Sequence, residues 1–198
     1  MTKLSFLFIF SCFMLPYGGK TFAQEHELTE RIKQLETAFS EKDYGTFFAT
    51  FPNSFSELEA IYGYAEVAMP LYHVANEHID FLFDERKDID MRLFVEKICT
   101  VGINGKWEAD AVNYFQNHVS VLLHLPPMTR HVVEFLNTKT KSEIESFWRF
   151  VMDDPVPRKD YFAEIYPAVR KIDKKQARMI KKEWQKMQKA YKNELPLY

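Results

Sequence analysis

The sequence predicts an all-α protein, a single-domain bundle of roughly eight helices that follows a cleaved signal peptide. Three observations carry that expectation. Nearly every stretch after residue 24 repeats its apolar residues at helical spacing, and few alternate as a strand would. Aromatic residues make up 16% of the chain, with Phe and Tyr dominant, which suits a packed globule rather than a disordered tail. Residues 24–198 have the length of one ordinary domain with enough chain to bury a full core.

Residues 1–23 read as a secretory signal. Lys3 supplies the positive start, Leu4 to Leu15 is an apolar run of signal length, and Thr21-Phe22-Ala23 places small residues at the −3 and −1 positions of a cleavage site. The run is about half of what a bilayer span requires and stops at Pro16-Tyr17-Gly18-Gly19, so a periplasmic or secreted location is expected over a membrane anchor. A lipoprotein cut before Cys12 fits poorly, because Phe10 occupies a position where such sites want a small side chain. Cleavage after Ala23 leaves Cys99 as the single cysteine, which excludes an intramolecular disulfide and reads as a small buried hydrophobe.

The first helix is expected over about 27–42, on the spacing of Leu28, Ile32, Leu35 and Phe39. Phe51-Pro52-Asn53 breaks the chain, and Ser54-Phe55-Ser56-Glu57 forms a capping-box pattern that opens a short helix ending near Gly63, placed there as a left-handed terminator. Pro70 at a first-turn position opens a central helix carrying Leu71, Val74, His78 and Leu82. Asp88 and Asp90 suit the start of the next, which buries Leu93, Phe94, Ile98 and Val101 before Gly102-Ile103-Asn104-Gly105 turns the chain. Glu108 and Asp110 favour the positive end of a helix with Ala111, Tyr114, Phe115, Val119 and Leu122 inward, ended by Pro126-Pro127. One helix follows over about 128–136, and another is capped by Ser142 and Glu145. A Pro-rich loop at 153–157 and a short segment at about 161–168 lead to a final helix from Ile172 to about Lys192. There Ile172, Gln176, Ile180, Trp184, Met187 and Tyr191 form one stripe surrounded by lysines.

Charge is segregated along the chain. Residues 24–157 hold 12 Lys/Arg against 23 Asp/Glu, whereas residues 170–198 hold 10 against 3. One reading is that the basic helix at about 170–192 docks on the acidic body by attraction. The other is that it is presented to an acidic partner or an anionic membrane surface. Nucleic acid is not expected as a target, given export and a formal net charge of −2.

Catalytic templates are missing: there is no Gly-x-Ser-x-Gly, no His-Glu-x-x-His, no paired zinc cysteines and, with six glycines, no phosphate-cradling loop. No cofactor is expected. His73, Glu77, Asp80 and Asp84, spaced 4, 3 and 4, would share a helix face and are weak metal candidates; the wet face of an amphipathic helix is the favoured account of them. Glu145 beside Phe147-Trp148 is the one acid to name for glycan hydrolysis, and a capping role already explains it. The densest mixed polar and aromatic stretch runs from Gly105 to Gln116. It makes Trp107 and Tyr114 candidate contact residues, unless Trp107 plugs a helix junction and Asn113 or Gln116 ties a loop. On the last helix, Lys181, Lys182 and Trp184 are the candidates.

The stretch 105–116, with Phe51-Pro52-Asn53-Ser54-Phe55 through Tyr62-Gly63-Tyr64 and Glu143-Ile144-Glu145-Ser146-Phe147-Trp148, resembles small exported α-helical proteins of Bacteroidetes-type bacteria, over roughly residues 51–157. That group has no established activity, so the resemblance implies no catalytic or binding residue. Its context implies immunity proteins that partner secreted antibacterial toxins. The leading expectation is therefore a non-enzymatic, exported module with a protein partner, an immunity or adaptor protein. A metal-dependent or glycan-directed hydrolase and a peripheral membrane-surface protein are the alternatives.

Overall fold

The computed structural model describes residues 22–64 and 67–194, which form ten α-helices with no strand among them. The expected signal and Cys12 lie outside the described residues, except that helix α1 (Phe22–Glu41) begins two residues before the expected cleavage point. None of the described helices is long and apolar enough to cross a membrane.

Two helices exceed the expected eight. The first is α2 (Tyr44–Thr50), a seven-residue helix that follows a left-handed Lys42 and is capped by Asp43, whose carboxylate accepts from Thr46 N–H at 3.1 Å. Its composition, Tyr-Gly-Thr-Phe-Phe-Ala-Thr, is poor in helix formers, and Phe47 buried against the core holds it. The second is α9 (Lys159–Ile172), a full helix where only a short segment was expected. Pro167 lies inside it, and the bond that proline forfeits is to the carbonyl of Ala163; both residues are exposed, on the solvent side of the helix.

Local corrections have local causes. Helix α3 (Phe55–Tyr62) takes its cap from Ser54 Oγ, 3.2 Å from Glu57 N, but the Glu57 carboxylate accepts from Asn53 N–H at 2.7 Å instead of Ser54 and pairs with Arg31 at 2.5 Å. Gly63 is extended, with φ of −71°, not left-handed; glycine is needed because a Cβ would sit 2.6 Å from the Glu59 carbonyl oxygen. Pro70 does not open a helix. Leu71 N–H is bound to the Ile61 carbonyl at 2.9 Å, which holds the chain against α3 through a 3-10 turn (Tyr72–Val74) until α4 (Ala75–Asp84) begins.

Helix α5 (Met91–Gly102) is capped by Asp90 as expected, and the turn after it packs so closely on Phe150 that a Cβ at Gly105 would fall 2.5 Å from the ring. Pro126 and Pro127 do not end α6 (Ala111–Leu122) but occupy the first turn of α7 (Pro126–Leu136), where no donor is needed. The box on α8 (Lys141–Met152) is Thr140 with Glu143, not Ser142 with Glu145: Glu143 accepts from Thr140 N–H at 2.8 Å and Thr140 Oγ1 accepts from Glu143 N–H at 3.3 Å. Helix α10 (Lys174–Glu194) starts two residues later than expected, capped by Asp173, which accepts from Lys175 N–H at 2.7 Å and Gln176 N–H at 2.9 Å.

Packing divides into two parts. From α1 to α6 the core is aromatic: Phe47, Phe51 and Phe115 form a chain of ring contacts that runs on to Phe150 of α8, and His78, 1% exposed, lies among Phe39, Phe47 and Tyr62 with Nδ1 3.0 Å from the Tyr62 hydroxyl. Lys97 enters beneath the end of α2, donating to Phe51 O at 3.1 Å and Asn53 Oδ1 at 2.5 Å, and burial pulls its pKa down to about 8. The second part is α10 laid on α8 and α9. Trp184 stacks on Phe162 at 5.0 Å and 9°, and Ile180 is fully buried. Gln176, also fully buried, accepts from Trp148 Nε1 at 3.1 Å and donates to Val133 O and Asn137 Oδ1, both at 2.9 Å.

Candidate functional site

The start of α6 and the turn before α4 face each other across an open cleft of about 480 Å³. Tyr72, His73, Asn76 and Glu77 supply one wall; Asp110, Asn113 and Tyr114 supply the other. Two pieces of the chain that the sequence singled out separately, the His73 row and the Gly105–Gln116 stretch, thus meet here.

Asp110 is the unusual member. It occupies the N-cap position of α6 with φ 60° and ψ −121°, a conformation costly to a residue with a Cβ, yet its carboxylate does not cap the helix. That carboxylate accepts instead from the Tyr72 hydroxyl at 2.8 Å, joining the two walls. Backbone strain of this kind, on the order of 1–3 kcal/mol, persists where the surroundings over-determine it and concentrates at functional sites. The expected role of Asp110 as an acid settling the helix end is therefore replaced by a cross-wall hydrogen bond.

Tyr114 donates to Asp80 Oδ1 at 2.7 Å, and His118 Nε2 lies 3.1 Å from the same oxygen. The hydrogen bond to Asp80 and, behind it, burial and the acids around it raise the Tyr114 pKa; the bond to Asp110 does the same for Tyr72. Both hydroxyls therefore remain donors locked onto carboxylates. Asn113 Oδ1 is buried without a hydrogen-bond partner. Glu77 stands exposed on the rim, and the ring of Tyr64, 57% exposed, lies 5.4 Å from that of Tyr72, so that Tyr64 and the exposed Val67 extend the rim along the neighbouring loop.

The four-residue metal row does not converge. His73 lies in the 3-10 turn ahead of α4, Asp84 is the last residue of that helix, and Asp80 is occupied by Tyr114 and His118. Among the described residues no group of three or more His, Cys, Asp or Glu side chains is placed to hold a metal ion. Glu145 lies 3.8 Å from Lys141 and 3.6 Å from Lys182, its Oε1 buried without a hydrogen-bond partner.

Trp107 does not line the cleft. Its backbone N–H donates to Asp153 Oδ2 at 2.9 Å, and its indole nitrogen is buried without a partner. Gln116 ties the 153–157 loop, donating to Asp153 O at 2.6 Å and also to Phe150 O. Beside them Lys106 bridges Glu59 at 3.2 Å and Glu108 at 2.7 Å; burial, then the Glu108 carboxylate, raises the Glu59 pKa. Trp184 is 6% exposed and belongs to the α8–α9–α10 seam, while Lys181 and Lys182 face outward from α10.

Sequence reasoning missed Tyr72 and the true role of Asp110. The signal that could have found Tyr72 was the density of tyrosines at 62, 64 and 72; the Asp110 strain leaves no mark in a sequence. Compared with family models, with curated proteins and with solved structures, the chain matches none, so no family is assigned.

Proposed function

We propose that this chain is an exported, non-enzymatic protein-binding module of the immunity or adaptor kind, and that the cleft between α4 and α6 holds a basic side chain of its partner. The observation that carries this is Asp110, kept in a strained backbone with its carboxylate turned across the cleft. The lining supports it further. Glu77 and Asp110 are carboxylates and Asn113 Oδ1 is an unpartnered acceptor, so an ammonium or guanidinium group supplies the positive charge and further donors that suit them. Tyr72, Tyr114, Asn76 and Asn113 combine rigid amphipathic rings with adaptable amides, the mixture that protein-recognition loops use. Exposed Tyr64 and Val67 add apolar area beside the charges.

The test is capture from envelope and culture-supernatant fractions with the chain from Gln24, compared with Tyr72→Ala/Glu77→Lys. The expected result is one stoichiometric protein retained by the parent chain and lost from the cleft variant, both proteins having the same circular dichroism. Equal retention by the two, or none by the parent, would contradict the proposal. Export itself is tested by N-terminal sequencing of the protein recovered outside the cytoplasm, with Gln24 expected first.

A further inference from the structure

Helix α10 sorts its residues strictly by direction. With 3.6 residues per turn, Lys174, Lys175, Arg178, Lys181, Lys182, Lys186, Lys189 and Lys192 fall within an arc of about 140°, and all eight are exposed. Gln185 and Asn193, the remaining exposed residues of that arc, are uncharged, and the arc holds neither an acid nor an apolar side chain. The apolar stripe on the opposite side is engaged by α8 and α9 through Ile180, Trp184 and Gln176, with Met187 half-buried beyond them. Along the axis the row extends about 27 Å.

Attraction to the acidic body uses one of these charges. Lys182 reaches Glu145 at 3.6 Å across to α8, and Lys186 pairs with Glu183 of its own helix. Among the described residues, Lys174, Arg178, Lys181, Lys189 and Lys192 have no acidic side chain within ion-pair distance. At the helix start Asp173 is occupied as the cap of α10, and exposed Arg170 and Lys171 at the end of α9 lengthen the cationic zone.

We propose that this face of α10 docks the protein on an anionic lipid surface. A straight row of lysines without a groove, an aromatic anchor or an apolar contact lacks what a protein interface builds its core from. It also lacks the rings on which nucleic-acid bases stack. It matches a plane of phosphate headgroups, where each cation adds about 1 kcal/mol without fixed geometry. The acidic helices of a second copy do not mirror it, since Arg31 and Lys33 interleave with Glu27, Glu30 and Glu36 on α1, and Asp80 on α4 is already bound. With its apolar stripe engaged, α10 lies on the surface and does not insert.

The chain from Gln24, which keeps every buried core residue, is sedimented with vesicles of phosphatidylcholine alone and of phosphatidylcholine mixed with phosphatidylglycerol. Binding is expected to the mixed vesicles alone and to fall steeply as salt is raised, because exposed charges are screened. Lys174→Glu/Lys181→Glu/Lys189→Glu is expected to weaken it by about 100-fold or more, three cations at the stated increment, while the melting curve is unchanged. Equal binding to neutral vesicles, no binding to the anionic ones, or full binding by the variant would each overturn the proposal. So would salt-sensitive self-association without vesicle binding, which would assign the face to a second copy.

Discussion

The start of α6 and the body of α10 treat their charges in opposite ways. At the cleft, carboxylates are held by neighbours: Tyr72 grips Asp110, and Tyr114 and His118 grip Asp80, in one case at the expense of a strained backbone. On α10 the helix is regular, its apolar stripe does the holding, and among the described residues most of its cations have no acidic partner. A charged group that is locked in place by hydrogen bonds has a fixed direction and suits recognition of one partner group. Lysines on flexible stems have charge without direction and suit a surface that has none either.

The contrast is broken most forcefully at the seam that holds α10. Trp184→Ala should cost about 3–5 kcal/mol, the range for emptying a buried aromatic site. Lys181→Glu should change stability by less than about 0.5 kcal/mol, as exposed substitutions do. Denaturant unfolding of the two variants measures both, and equal losses would mean that charge, not packing, docks the helix.

Next in size is the aromatic core beneath the cleft. Burial, with help from the His73 and Lys42 charges and against Glu77, lowers the His78 pKa from 6.5 to about 4. Between those values the unfolded chain binds more protons than the folded one. Stability is therefore complete above pH 6.5, falls as pH drops through the window, and levels off below it, a change of about 3 kcal/mol. Urea unfolding across that range checks the slope, and the double variant Tyr62→Phe/His78→Leu should flatten it. No such slope is expected from α10.

Asp110→Gly sharpens the comparison at smaller scale. Relief of the positive φ should stabilise the fold by about 1 kcal/mol while partner retention is lost, the signature of strain kept for function. A loss of stability would show that the Tyr72 bond matters more than the strain. Smallest is the ion pair that, among the described residues, links α10 to α8: a double-mutant cycle on Lys182 and Glu145 should return a coupling under about 1 kcal/mol, as exposed pairs do.

Legibility follows the range of the interaction. The α10 stripe was readable because a regular period over twenty residues needs no distant partner, and Gln176 fell at its correct place; that it would bind Trp148, Val133 and Asn137 was not readable, since those contacts cross 28 to 43 residues. The box on α8 was misplaced because Thr140 to Glu143 and Ser142 to Glu145 fit the same pattern, and local chemistry does not choose between overlapping frames. Helix α2 was invisible for want of helix formers, and burial of Phe47 decided it. The cleft was half visible: most of its polar residues were named, Tyr72 and Asn76 excepted, but the Tyr72–Asp110 and Asp80–Tyr114 bonds span 38 and 34 residues, and only the fold brings those groups together.

The claim that the two faces serve different partners is tested most directly by photocrosslinking in living cells, with benzoylphenylalanine placed at Asn76 in the cleft or at Gln185 on α10. The account predicts a discrete protein adduct from Asn76 and none from Gln185. A protein adduct from Gln185 with none from Asn76 would contradict it, because partner recognition would then belong to the basic helix and not to the cleft.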